Sequence, residues 1–176
     1  DWYSAAIEKI SLDEYNITYN KKLETYQSPN RANNIRFTYH KDGFTAATRE
    51  TKIPLFDVND KNISEKDKKY EEVEDWSVEL RIENYELGMV NEELTQAGNK
   101  ASIENENIRI DYTNSKEGMR QDFIIRKKLS DENDLILTMN VNTSLKMTVR
   151  NDAVSFSSID GSEKMQYASL KAWDAN

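Results

Sequence analysis

The sequence predicts an all-β protein: a single antiparallel β-sandwich, or a partly closed barrel, of about nine or ten short strands. Along most of the chain apolar side chains alternate with polar ones, as on strands with one buried and one wet face. Short turn sequences rich in Gly, Asn or Asp separate these runs. The chain also carries three Trp, nine Tyr and five Phe, so it has large side chains for a core although only 37% of its residues are hydrophobic.

The first part of the chain begins with an ambiguous segment and continues into β structure. Apolar residues in Trp2–Leu12 are spaced for a short amphipathic helix, and an extended start fits them equally well. Tyr15, Ile17 and Tyr19 alternate with polar residues and predict a strand. Pro29 lacks an N–H donor, which predicts a loop over 26–31.

A hairpin and a charged excursion follow. Alternating residues over 35–48 surround the turn Asp42-Gly43, where glycine accepts a positive φ without a Cβ clash. From Pro54 to Asp75 the alternation gives way to charged residues, and a short helix is predicted only at 66–73. The next strand runs over 76–82.

The second half of the chain predicts the most regular β structure. Residues 83–106 fit either a long loop or two weakly paired strands. The clearest hairpin is Ile108–Lys128, with alternating Ile108, Ile110 and Tyr112 before a turn at 114–118. Four further strands are predicted at 135–141, 145–149, 154–156 and 165–173.

The charge and composition exclude several kinds of protein. The formal net charge is −8, and the excess of acidic over basic residues lies in 57–75 and 83–106, with no basic stripe for nucleic acid. Without cysteine there are no disulfides and no thiolate metal sites. No apolar run approaches the ~20 residues that span a bilayer, so no membrane span is predicted in this chain.

No residue pattern predicts an active site, and we expect neither catalysis nor a cofactor. His40 is the only histidine, and the chain lacks a G-x-S-x-G elbow. Adjacent carboxylates such as Glu71 and Glu72 fall in solvated segments. Asp57–Asn62 has oxygen ligands at alternate positions, but Lys61 and the missing Gly disfavour a calcium loop. Whether the acidic loops bind a cation stays open.

Two tyrosines are the predicted contact residues for a ligand or partner. Tyr70 and Tyr85 lie inside the acidic segments, where an exposed ring can stack on a sugar or on another protein. Trp76, by contrast, shares the phase of Val78 and Leu80 and is predicted to lie in the core.

A family resemblance is carried by three landmarks. These are 28–31 with the Asp42-Gly43 hairpin, the run 111–123 with its Y-x-N-x-x-x-G-x-R-x-D-F pattern, and the closing 170–176. In these the chain resembles the N-terminal β-rich domain of large secreted proteins of Bacteroidetes, which often continue into SBBP-type β-propeller repeats or Ig/PKD-like modules and end in a type IX secretion sorting domain. The acidic excursions are longer than that family leads us to expect.

The resemblance implies a bacterial, secreted or cell-surface module with no catalytic residues. We expect residues 1–176 to be one domain, the N-terminal fragment of a longer protein whose signal peptide has been removed. Its expected role is structural, docking or adhesive, toward neighbouring domains of the same polypeptide or another surface protein. The alternative is a carbohydrate-binding module that holds polysaccharide on exposed aromatics.

Overall fold

The computed structural model describes residue 2 and residues 13–83, 93–127 and 136–173. The secondary structure of this part is β, apart from single helical positions and one 3₁₀ turn at Arg31–Asn33. The described strands are β1 (Thr18–Asn20), β2 (Thr25–Asn30), β3 (Ile35–His40), β4 (Gly43–Thr48), β5 (Lys52–Pro54), β6 (Tyr70–Glu72), β7 (Ser77–Ile82), β8 (Thr95–Ala97), β9 (Lys100–Glu104), β10 (Ile108–Ser115), β11 (Gly118–Ile125), β12 (Met139–Thr143), β13 (Lys146–Arg150), β14 (Ala153–Ser157) and β15 (Glu163–Tyr167).

The strands form several antiparallel sheets. The largest has the order β1-β2-β3-β4-β7-β12, and the second has the order β11-β10-β9-β8. A three-stranded sheet, β13-β14-β15, and the two-stranded β5-β6 complete the described part. The all-β, antiparallel prediction is confirmed: no sheet formed by these residues closes into a barrel, and their arrangement is consistent with a β-sandwich.

The core lies where the inner faces of the sheets meet. Tyr112 of β10 contacts Tyr39 of β3 edge-to-face, with ring centroids 5.2 Å apart. It also contacts Phe44 of β4 at 6.3 Å, and Phe44 reaches Tyr167 of the three-stranded sheet at 6.5 Å. Edge-to-face aromatic pairs add stabilisation beyond their buried area. Trp76, predicted to be in the core, is buried there.

Two buried asparagines join the two larger sheets by hydrogen bonds. Asn30 of β2 donates through Nδ2 to Oδ1 of Asn114 of β10, at 2.9 Å. Asn114 in turn donates to the carbonyls of Pro29 at 2.9 Å and Tyr15 at 3.0 Å. Asn99 also donates to the carbonyl of Asn114, at 2.7 Å. Since a buried amide without partners is costly, these bonds fix how the two sheets sit on each other.

Several local predictions are corrected by the structure. The predicted loop at 26–31 is mostly β2. Since β1 pairs with β2 only as far as Gln27, Pro29 lies where β2 is a sheet edge, a position that proline tolerates. The helix predicted at 66–73 is instead β6 with its preceding turn. The helix considered at 2–12 lies outside the described residues except for Trp2.

The number of strands also differs from the prediction. The described residues form fifteen strands rather than nine or ten. Four of them are only three residues long, a length at which alternation carries little signal, and segment 83–106 contributes the paired strands β8 and β9. The single-domain expectation for residues 1–176 stays a prediction.

Gly43 serves a close approach rather than a turn conformation. It is the first residue of β4, pairs with Arg81 of β7, and is buried. A Cβ atom at this position would lie 1.9 Å from the carbonyl oxygen of Leu80. Glycine is therefore required because β7 passes too near for any side chain.

Candidate binding surfaces

The first candidate is an open hollow in the charged excursion between β5 and β6. It has a volume of about 450 Å³ and combines apolar side chains with charged ones. Its lining residues are Phe56, Val58, Asp60, Lys61, Ile63, Glu65, Lys68 and Tyr70. Ligand sites commonly fall in this size range and pair an apolar floor with a few polar groups.

The local hydrogen bonds explain how this hollow forms. Tyr70 opens β6 opposite Pro54 of β5, and the amide of Leu55 donates to the carbonyl of Lys69 at 2.9 Å. This brings the Tyr70 ring edge-on to Phe56, with centroids 5.4 Å apart and planes at 87°. Tyr70 is still 51% exposed, so its ring remains available to a ligand.

The calcium-like sequence in the same loop forms turns. The Asp57 carboxylate accepts the amide of Asn59, and the Asp60 carboxylate accepts the amide of Asn62, both at 2.9 Å. These are Asx turns, in which the acid bonds its own backbone two residues on. Among the described residues no group of three or more His, Asp or Glu side chains could hold a metal ion.

Of the predicted contact residues, the structure places Tyr70 in a hollow, while Tyr85 lies outside the described residues. Sequence reasoning missed Phe56, Val58 and Ile63 as its apolar floor. Their spacing follows neither a helical nor a strand period, since the loop itself brings them together. The only signal was their apolar character within a charged segment.

The second candidate is a polar network on the outer face of the six-stranded sheet. His40 Nε2 shares a hydrogen bond of 2.8 Å with Oγ1 of Thr45. Arg81 donates to the Glu79 carboxylate at 2.6–2.8 Å and also pairs with Asp42. These residues come together because β3, β4 and β7 are neighbours with fixed register. The network crosses the strands and ties them together.

Burial and the neighbouring charges of this network favour the neutral form of His40. Burial lowers its pKa from the ordinary 6.5, and the positive charge of Arg81 lowers it further, while Glu79 and Asp42 oppose the shift. The hydrogen bond from Arg81 in turn holds the pKa of Glu79 below its usual value. A neutral imidazole bonded to a threonine is half of a nucleophilic pair, but no carboxylate of the described chain hydrogen-bonds its Nδ1 to orient it.

The third candidate is the free edge of the three-stranded sheet. Within the described chain β13 pairs only with β14, so one side of its backbone has no strand beside it. Met147 and Val149 pair with Phe156 and Val154, and therefore lie on the sheet's core-facing side. Phe156 is fully buried, but Met147 is 50% and Val149 66% exposed. The apolar face thus extends beyond the core onto the edge strand.

Comparison of the chain with protein-family models, with curated proteins and with solved structures found no match. The resemblance to secreted Bacteroidetes domains accordingly stays a prediction. No helix within the described part of the chain is long and apolar enough to cross a membrane.

Proposed function

We propose that this chain is a non-catalytic module with a docking or adhesive role inside a larger secreted bacterial surface protein. The observation that carries the proposal is the free edge of β13, with Met147 and Val149 exposed on its apolar side. An unpaired edge strand is a template for another strand, which binds through backbone hydrogen bonds. The partner is a neighbouring domain of the same polypeptide or another surface protein.

Hydrogen exchange in the parent polypeptide tests this docking role. We expect the amides of 146–150 to exchange more slowly in the parent protein than in the isolated chain, because a docked strand covers them. Val149→Lys should remove this protection, while Ile159→Lys, which changes an even more exposed apolar residue outside β13, should keep it. Equal exchange of β13 in both contexts would argue against docking at this edge.

A second candidate function, polysaccharide binding, is favoured by the hollow beside Tyr70. Its half-exposed ring lines the hollow together with Asp60, Lys61, Glu65 and Lys68, whose charged groups offer hydrogen bonds to hydroxyl groups. In a polysaccharide pull-down, Tyr70→Ala should abolish binding. Tyr19→Ala is the matched control, since Tyr19 is 50% exposed and far from the loop in sequence. Retention of binding by Tyr70→Ala would exclude the hollow as the site.

Secretion is part of the proposal and has its own test. The parent open reading frame should encode a signal peptide upstream of Asp1 and a sorting domain downstream of Asn176. Cell fractionation should then find the protein outside the cytoplasm. A reading frame with start and stop codons directly flanking this chain would contradict both the secretion and the fragment hypothesis.

A further inference from the structure

We propose that the free edge of β13 binds an acidic extended segment of a partner protein, which joins the sheet as a fourth strand. The partner's apolar side chains would lie beside Met147 and Val149, and its carboxylates beside Lys146 and Arg150. This inference rests on the docking function proposed above and adds the chemistry of the partner.

The register of the sheet places the apolar side chains of β13 in line with those of β14 and β15. Two apolar rows cross the three strands, one through Met147, Phe156 and Met165 and the other through Val149, Val154 and Tyr167. Phe156 is buried and the other β14 and β15 members of these rows are half-buried, whereas the β13 members are exposed. A strand with two apolar side chains two residues apart would extend both rows at once and shield their exposed ends.

The opposite face of the same strand carries two basic side chains. Lys146 and Arg150 are exposed at the two ends of β13, on the side away from Met147 and Val149. Neither forms an ion pair with a residue that the structure describes. The β13–β14 hairpin contains one acid, Asp152 in its turn, and this acid is not bridged to Arg150 either. A chain of net charge −8 therefore presents a locally positive strand edge.

The same charges argue against a second copy of the chain as the occupant. In antiparallel self-pairing centred on Thr148, Lys146 of one copy would face Arg150 of the other at both ends. In parallel pairing in register, each base would face its own counterpart. Like charges directly opposite on neighbouring strands are destabilising. An acidic strand converts both of these positions into opposite-charge pairs.

The test uses the whole chain and short synthetic peptides. The probe is a capped peptide with the core Glu-Val-Thr-Val-Glu, which has the same order in both directions and so fits a parallel or antiparallel strand. Its counterpart is Lys-Val-Thr-Val-Lys. NMR titration should show amide shifts at 146–150 with the Glu peptide. Its affinity should exceed that of the Lys peptide by roughly three- to thirtyfold, and the difference should shrink in high salt.

A charge-reversed variant makes the test sharper, because we expect it to gain affinity for the Lys peptide. The double variant Lys146→Glu/Arg150→Glu should prefer the Lys peptide, a result that loss of folding cannot imitate. The matched control is Lys21→Glu/Lys22→Glu, which makes the same charge change in the exposed turn between β1 and β2. This control should keep the preference for the Glu peptide.

Each other outcome counts against the inference in a distinct way. Equal binding of both peptides at β13 would overturn the acidic preference and leave docking intact. Dimerisation that shifts the 146–150 amides would identify a second copy as the occupant instead. Absence of shifts at these amides with either peptide overturns the inference. If the amides of 146–150 are nevertheless protected in the parent polypeptide, the docking function stands without the acidic partner. If that protection is also absent, the docking function and the acidic-partner inference both fail.

Discussion

β10 and β13 have the same alternation of apolar and polar side chains, but their apolar side chains differ in how far the fold buries them. In β10 the side chains of Ile108, Ile110 and Tyr112 are fully buried. In β13, Met147 and Val149 remain at least half exposed. β10 lies between β9 and β11 with the large sheet against its inner face, whereas in the described part of the chain β13 has only β14 beside it. The position of a strand in its sheet, rather than its own pattern, decides what is covered.

The largest expected effect tests this comparison with matched truncations. Ile110→Ala should lower the free energy of unfolding by about 3 kcal/mol, because it removes buried methyl groups and leaves a cavity. Val149→Ala should change it by less than about 0.5 kcal/mol, since that side chain stays in water. Urea unfolding of both variants measures the difference. Equal losses would mean that β13 is covered in the folded chain.

The second prediction makes the same comparison with a polar residue. Asn114→Ala should destabilise the protein by about 2–3 kcal/mol, because the buried carbonyls of Tyr15 and Pro29 lose their donor. Asn142→Ala is its exposed counterpart on β12, where the amide reaches only Glu79 at 3.3 Å. It should cost less than about 0.5 kcal/mol. Thermal or urea unfolding decides, and similar values for the two variants would contradict a role for Asn114 in joining the sheets.

Asn114 also shows where sequence reasoning succeeded and where it stopped. The alternation correctly predicted that Ile108, Ile110 and Tyr112 face the core. It assigned Asn114 to a turn, although this residue keeps their phase, because a polar residue before Gly118 is typical of turns. The turn is in fact Lys116-Glu117, and Asn114 is buried in β10. Its partners lie 85 and 99 residues away along the chain, so no local pattern reveals them.

The binding surfaces were less predictable than the core for a related reason. Tyr70 was singled out from its acidic surroundings, and the structure places it in a hollow. The strand at 145–149 was predicted, but its place at a free edge depends on which strands pair. Pairing is set by contacts between distant segments, and the alternation of side chains within one strand does not specify which strands become its neighbours.

The third prediction concerns a position where β4 and β7 approach most closely. Gly43→Ala should destabilise the protein by about 1–3 kcal/mol, because the added methyl group would overlap the backbone of Leu80 and force the strands apart. Lys41→Ala, two residues earlier and exposed, is the control and should be nearly neutral. An unchanged urea midpoint for Gly43→Ala would indicate that β4 and β7 can separate without cost. The backbone at Gly43 would then be as unconstrained as the unpaired side of β13.

The smallest effect on stability is expected at His40. This residue is half-buried on the outer face of the large sheet, so its exposure lies between that of β10 and that of β13. Its pKa is lower in the folded chain than the ordinary 6.5, chiefly through burial. Below 6.5 the unfolded chain therefore binds a proton that the folded chain resists, and stability falls until the folded histidine also protonates. Unfolding midpoints measured from roughly pH 8 to pH 5 should decline more steeply for the wild type than for His40→Gln. Thr45→Val, which removes the partner of Nε2 without removing a titrating group, should keep the wild-type slope. A histidine titration at or above 6.5 in the folded protein would contradict the prediction, because burial would then not dominate the pKa of His40.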